Sequence, residues 1–562
     1  MGIPKHSSNQ LRIEMKSQSC VVTQERRCAN YKPNIWSYDF IQSLTSDFEG
    51  ATYIERAKKL KDEFVIILNR VPVLFKPLMV ETIVKLGLSN VLHKEINDIL
   101  HTIVSNLHND DVGFKEDLLS AALCFRLLRQ HGYNASQDFI GEMGLDDLKD
   151  RPGSTIDLRG VLELYEASHL ATNNEETMLK AKAYSYKYLM DHYFDMDANL
   201  AKQVAYASEF PSHRKVLWFN VRQQISTYKL EDDKNQILLD LAKLNFNIVQ
   251  AMHLNDLKEM SQWWKKLGLI ENVGFARDRL MESFLWTVGV AYEPQHALLR
   301  KCLTKVVMFV LVLDDMYDIY GSLDELECFT RTMERWDYQE IDQLPECMKI
   351  CFKALVTTTN EIVDDIEKEN GWNNILPFLK IAWVDFCEGM LQEARWYKKR
   401  YTPTLQDYLS SAWITSSGPL LSVIAFLCTA HGKSEELKNK WEDSHDLIYH
   451  TSIIIRLLND QGTSAAELER GDAHSSIMCY MAEASVTEDI ARKHMKAKIT
   501  SAWSKINMEL LTASKEQQKF VECVINMARV CHFIYQSGDG FSVQDGATKN
   551  KVKRLFFEPL EL

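Results

Sequence analysis

An all-α fold is what this sequence predicts, and three observations carry the prediction. Apolar residues recur at three- and four-residue spacing along most of the chain. Clean alternation of apolar and polar residues over a strand length is hard to find. Prolines and glycines number only 12 and 22 among 562 residues, too few for a turn-rich sandwich or a disordered chain. A chain this long exceeds one ordinary core, so two helical domains are expected.

The elements follow in order. The stretch before Arg26 carries Lys5, Arg12 and Lys16 against Glu14 and lacks the apolar run of a secretory signal. It reads as a cytoplasmic start or as the remainder of a plastid transit peptide. Leu119, Ala122, Leu123 and Leu127 share one helix face, and Gly132 is the expected stop. Leu158, Leu162 and Tyr165 repeat the pattern, as do Leu238, Leu239, Ala242 and Phe246. The polar stretch from Glu231 to Gln236 is the candidate boundary. It divides the chain into a terminal segment (1–35), a first helical domain (36–233) and a second (234–562), which holds nearly all the chemistry.

Composition excludes some functions. The net charge of −13 argues against nucleic-acid binding, which needs a basic face. It leaves open an anionic ligand held by divalent cations and local arginines. The 12 cysteines are scattered, and the close pair Cys347 and Cys351 suits one helix face better than a zinc knuckle. They read as reduced, mostly buried thiols. No apolar run approaches the roughly 18–20 residues of a membrane span.

Two oxygen-rich clusters carry the chemistry. The apolar run Val306–Leu313 leads directly into Asp314-Asp315-Met316-Tyr317-Asp318. Helical spacing puts Asp314 and Asp318 on one face. Carboxylates 4 Å apart repel by on the order of 4 kcal/mol at an effective dielectric near 20. A bound Mg²⁺, held by one or two carboxylates and substrate phosphates, makes sense of them. A solvated acidic helix end is the plain alternative, and Asp364, Asp365 and Glu367 read as one. A calcium loop fails: Glu325 stands twelfth from Asp314, but Met316 and Ile319 occupy the third and sixth places, where oxygen and glycine are needed. In the second cluster, Asn459, Thr463 and Glu467 follow Ile453-Ile454-Ile455 at spacings of four and four. An amide, a hydroxyl and a carboxylate on one stripe can hold a hard cation or can simply form a polar face. The pair of clusters is more specific than either alone.

The sequence resembles the plant terpene synthases over nearly its whole length. Asp314-Asp315-x-x-Asp318 matches their aspartate-rich motif, and Asn459-Asp460-x-x-Thr463-x-x-x-Glu467 their second metal motif. Arg26-Arg27, eight residues and then Trp36 match the N-terminal signature of the angiosperm branch with monoterpene, isoprene and alpha-farnesene synthases. Arg277-Asp278-Arg279 matches the family's Arg-x-Arg element.

The resemblance implies a class I helical bundle following a relict helical barrel, and Mg²⁺-dependent ionisation of a prenyl diphosphate. Three Mg²⁺ ions are implied, with Mn²⁺ the possible substitute. Asp314 and Asp318 would ligate two ions, with Asp315 supporting, and Asn459, Thr463 and Glu467 the third. Arg277, Arg279 and Arg456 would hold the departing diphosphate, since fixed cations stabilise it more than the intact ester. Arginine presents several donors to phosphate oxygens at once. Trp286 matches an aromatic of the cavity wall, where a cation over indole gains roughly 0.5–2 kcal/mol. Tyr535 and Phe541, flanking Gly538-Asp539-Gly540, fall in a region that lines or closes the pocket. Ser416-Ser417-Gly418-Pro419 resembles the family's helix break. Arg26, Arg27 and Trp36 would cap the site. The expected form is a monomer or weak homodimer.

Departures narrow the expectation. Protonation-initiated relatives carry Asp-x-Asp-Asp, whereas Asp195-Met196-Asp197-Ala198 lacks the last acid. Ser475 stands where many relatives have a lysine after Gly471-Asp472. Isoprene-producing members carry phenylalanine where this chain has Val307 and Ile455, so a deeper pocket is expected, for geranyl or farnesyl diphosphate. A chain-elongating prenyltransferase would need a second aspartate-rich motif, which Asn459 and Thr463 do not supply. A non-catalytic metal-binding helical protein would explain the carboxylates but not the arginines beside them.

Overall fold

The computed structural model describes residues 31–109, 117–141, 157–338, 341–430, 440–470, 474–544 and 546–562. Arg26, Arg27, Gly471 and Asp472 lie outside them. Among the described residues the structure is helical and contains no strand.

Local signals set the helix ends. Helix α1 spans Ala51–Arg70. In α2, Leu118–Gln130, the Asp117 carboxylate accepts the Ser120 N–H at 2.9 Å and caps the N-terminus. Gly132, at φ +78°, supplies the left-handed residue beyond its last turn, where the sequence places the stop. Helix α3, Leu158–Ser168, is capped by Asp157. Asp197 caps the helix Ala198–Glu209, its side chain accepting the N–H groups of Asn199 and Leu200, so the Asp195-x-Asp197 pair has a local structural use.

Residues 231–235 form the exposed connection before α4, Gln236–Leu267, which Asn235 caps. This helix does not respect a sharp division. It packs on α1 and also on α5, Leu280–Val290, and α6, Ala297–Asp315. The later helices are α7 (Leu323–Arg335), α8 (Leu376–Lys399), α9 (Leu405–Thr415), α10 (Gly418–Thr429) and α11 (His445–Arg470). They are followed by α12 (Ser476–Ala484), α13 (Glu488–Thr512) and α14 (Gln518–Tyr535). Helices α5, α6, α8, α9, α11 and α14 pack in a closed ring, with α8 reaching α6 through the turn after it. Helix α10 packs on α6, α8, α11 and α14.

The stretch Leu405–Thr429 has the length and apolarity of a membrane span, against the sequence expectation that no run approaches one. It is two helices, broken where Ser417 takes φ +63°, and it is largely buried inside the bundle. The ten described cysteines carry free thiols, and most are buried.

A buried aromatic seam joins the two halves. Asn507 on α13 donates to the carbonyls of His169 and Ala171 at 3.0 and 2.9 Å, and Arg529 on α14 donates to the His213 carbonyl at 2.8 Å. The rings of His169 and His213 stack at 5.8 Å, and the Trp503 indole donates to His532 at 3.1 Å. Burial is the main force holding these imidazoles neutral, with neighbouring cations such as Arg214 adding to it. His169 is lowered to about 2, His532 to about 3, and His213 well below its usual range. Below about pH 6.5 the unfolded chain therefore takes up protons that the folded chain refuses. Stability is expected to fall with pH from there, by on the order of 1.4 kcal/mol per pH unit per imidazole. Thermal unfolding between pH 7 and 5 checks this: the Tm of His169→Phe should fall less steeply than that of the parent.

Candidate active site and metal centre

The described residues of the two predicted clusters, with Arg277 and Arg279, gather at one end of the helix ring. The start of α5, the C-terminal ends of α6, α9 and α14, and the C-terminal halves of α8 and α11 all point to it. Helix C-termini carry partial negative charge, so acidic side chains there raise the demand for a cation.

The first cluster deviates from the regular helix that the spacing implies. Helix α6 ends at Asp315, and Met316–Tyr320 form a π-helical turn, closed by the Gly321 N–H on the Met316 carbonyl at 2.8 Å. Asp314 is partly exposed at the ring's end, whereas the Asp315 side chain is 1% exposed. Adjacent helical residues diverge by about 100°, so one carboxylate faces the site and its neighbour faces the core.

Asp315 holds Arg277. Its Oδ2 accepts the Arg277 backbone N–H at 3.0 Å, and its Oδ1 lies 3.2 Å from Nε of the guanidinium. Burial raises the Asp315 carboxyl to about 6, with Arg277 opposing and Asp314 reinforcing the rise. Arg277 also pairs with Asp314 and donates to the Ser542 hydroxyl at 3.1 Å. Burial works against its charge, but Asp315 and Asp314 hold it firmly cationic. Arg279 is oriented differently. Its guanidinium donates to the carbonyls of Lys32, Asp278 and Phe541 at 2.7, 2.7 and 3.0 Å, and to that of Ser542 at 3.4 Å.

The second cluster repeats the arrangement on α11. Asn459, Thr463 and Glu467 form one stripe, and the Thr463 hydroxyl donates to the Asn459 carbonyl at 2.8 Å. Asp460 turns inward, accepting from the Tyr408 hydroxyl at 3.1 Å and the Ser476 N–H at 2.8 Å. Arg456 donates to the Asn459 side-chain oxygen at 3.1 Å and to the Thr415 hydroxyl at 3.0 Å, and Thr415 donates to Glu393 at 2.5 Å.

The two clusters share one electrostatic space. Glu467 is raised to about 7, by burial first and Asp460 second, with Asp314 also contributing. Glu393 is raised by burial, and Asp314 adds to that as well. Among the described residues no three acidic, His or Cys side chains form a ready-made metal cage. The donor set still fits Mg²⁺. All its atoms are oxygen, Asp314 is accessible, and the carboxylates are under-compensated by arginine. Mg²⁺ takes few protein carboxylates and completes its shell with water and phosphate.

Trp286 is buried on α5, with its indole N–H directed at Cys531 of α14. Tyr535, at the end of α14, interacts with Asn459 and lies 6.3 Å, ring to ring, from Phe541. Gly462 makes that approach possible: a Cβ there would stand 3.1 Å from both Tyr535 and the Gly538 carbonyl. The predicted helix break is present, and a Cβ on Gly418 would lie 2.1 Å from the Ser452 hydroxyl. Ser475 caps α12 by accepting the Met478 N–H. Glu325, the residue of the failed calcium reading, forms a capping box with Ser322.

Sequence reasoning missed Glu393, Thr415, Tyr408 and Gly462. The first three are single residues on helices distant in sequence from the motifs, and Gly462 lies inside the second motif at a position that its pattern leaves open. A separate cavity of about 430 Å³, lined by Glu327, Arg331, Glu334, Glu388, Gln392 and Arg395, lies between α7 and α8 and contains none of the predicted site residues.

Comparison with known proteins places the chain among relatives over nearly its whole length. Residues 35–207 match the model of the terpene synthase N-terminal domain, and residues 265–505 that of the terpene synthase family metal-binding domain. Alpha-farnesene synthase of Ricinus communis is 46% identical over 98% of this chain and 99% of its own. A crystal structure of limonene synthase with 2-fluorolinalyl diphosphate superposes with a TM-score of 0.89 at 35% identity, covering 96% of this chain and all of that one. Isoprene synthase from grey poplar leaves (Populus x canescens), in complex with three Mg²⁺ ions and dimethylallyl-S-thiolodiphosphate, superposes at 0.82 with 38% identity, covering 94% of this chain and 99% of its own.

Proposed function

Since this chain belongs to the terpene synthase family, we propose that its substrate is farnesyl diphosphate, with geranyl diphosphate the alternative. The enzyme is a metal-dependent lyase acting on a prenyl diphosphate, with Mg²⁺ as the cofactor. The observation that carries the site assignment is the convergence of Asp314, Glu393, Arg456 and Glu467 at one end of the ring, electrostatically coupled across three helices. The fifteen-carbon substrate is supported by the likeness to an alpha-farnesene synthase and by Val307 and Ile455, both smaller than phenylalanine.

Asp314 and Asp318 are the proposed ligands of two Mg²⁺ ions, and Asn459, Thr463 and Glu467 those of the third. Mn²⁺ is the proposed substitute. When bound, the ions supply Lewis acidity that neutralises charge on the leaving diphosphate. Asp315 is assigned to Arg277 in preference to an ion, because its carboxylate is turned inward. Arg277 and Arg456 are the arginines proposed to receive the diphosphate, each held by a buried carboxylate network. Arg279 fixes the loop around them. Trp286 and Tyr535 bound the apolar space in which the allylic cation rearranges or cyclises, until loss of a proton or capture of water ends the sequence. Every residue of the proposed site comes from one chain, so a monomer or weak homodimer suffices. The cytoplasm is the compartment proposed with farnesyl diphosphate, and a plastid if geranyl diphosphate proves to be preferred.

Gas chromatography with mass spectrometry of pentane extracts tests this. Incubation with farnesyl diphosphate and Mg²⁺ is expected to release a terpene faster than incubation with geranyl diphosphate. EDTA should abolish both reactions. An intact diphosphate in every Mg²⁺-containing reaction would remove the catalytic reading.

A further inference from the structure

Two segments far apart in sequence, residues 31–36 and 541–544, meet beside the Arg277 pair. Arg279 already donates to a carbonyl of each. The Gln544 amide binds them again. Its Nε2 donates to Asn34 Oδ1 at 3.2 Å and to Glu282 Oε1 on α5 at 2.7 Å, and its Oε1 accepts the Ile35 N–H at 3.0 Å. Asn34 continues the chain: Nδ2 donates to Asp278 Oδ2 at 2.9 Å, and Oδ1 also accepts the Trp36 N–H at 3.0 Å. The second Asp278 oxygen accepts the Trp264 indole N–H of α4 at 3.1 Å. One run of hydrogen bonds thus joins α4, the Arg277–Arg279 turn, the N-terminal segment, the 541–544 loop and α5. The loop groups that reach Arg277, Arg279 or Asn34 come from three residues, Phe541, Ser542 and Gln544.

We propose that Gln544 and Asn34 are positioning residues that lock the N-terminal segment to the 541–544 loop as one cover, fixing Arg277 and excluding water from the carbocation. The proposal rests on the terpene synthase reading. A cation that meets water forms a carbon–oxygen bond to the water oxygen and releases one proton, giving an alcohol. A cation shielded from water ends by losing a proton from an adjacent carbon, whose C–H electron pair becomes the new double bond. A loosened cover should therefore change the product class as well as the rate.

The test uses the full chain as Gln544→Ala, Asn34→Ala and the double variant, each with unchanged circular dichroism. Hydrogen–deuterium exchange is read without substrate. Asn34→Ala is expected to speed exchange in the 541–544 peptide, and Gln544→Ala in the 31–37 peptide, by about tenfold. With farnesyl diphosphate and Mg²⁺, each single variant should raise the alcohol-to-hydrocarbon ratio by roughly threefold, and the double variant should fall short of the product of the two, since both single changes remove the shared Asn34–Gln544 bond. Exchange that changes only on the mutated side, or an unchanged product ratio in all three variants, overturns the proposal. A parent enzyme that makes no terpene would instead overturn the family reading, while the exchange data would still decide whether the two segments are coupled.

Discussion

Asp314→Ala should lower kcat/KM by about 10²–10³-fold or more while leaving Tm and the helical circular dichroism unchanged. The side chain is 40% exposed and packs into no core; its ion-pair partner, Arg277, keeps Asp315 after the substitution. What disappears is an accessible carboxylate of the first cluster and, with it, a proposed contact to the ion that neutralises the leaving diphosphate. Steady-state kinetics across a Mg²⁺ titration should show the loss at every concentration. A variant that retains parental turnover would remove Asp314 from the site.

Its neighbour should behave oppositely. Asp315→Ala leaves the Arg277 guanidinium and backbone N–H buried without their main acceptor. Breaking a buried pair by removing one partner costs about 3–5 kcal/mol. Urea denaturation should therefore show a large loss of stability, with Asp315→Asn intermediate because the amide still accepts the Arg277 N–H. An Asp315→Ala protein as stable as the parent but as inactive as Asp314→Ala would mean that both aspartates act on the reaction and that the inward assignment is wrong. The contrast is sharp because the two residues are adjacent, so sequence position alone cannot produce it.

Much of this site is legible in the amino-acid sequence. The proposed ligands Asp314, Asp318, Asn459, Thr463 and Glu467 stand out by spacing because a helix repeats its face every three to four residues, and candidate ligands on one element advertise themselves. Arg277 and Arg279 are legible only as a pair, through resemblance. Nothing in their sequence distinguishes an arginine paired with carboxylates from one engaged by four carbonyls, yet the structure separates them in that way. Glu393, Thr415 and Tyr408 are silent in the sequence. Each is an ordinary residue on its own helix and gains meaning only from a partner 22 to 52 positions away. The Leu405–Thr429 stretch shows the same limit from the other side, since apolarity cannot tell a bilayer from the inside of a bundle.

By itself, the sequence determined the helical class, the two oxygen-rich stripes, the broken helix at Ser416–Ser417 and the family, because these depend on local periodicity and on residues close together in the chain. Only the tertiary structure decided which member of each adjacent pair faces the core, which arginine is held by carboxylates, and which distant segments meet over them. Those outcomes depend on what a neighbouring helix places opposite each side chain, and burial then makes an unpaired charge too costly to leave facing the wrong way.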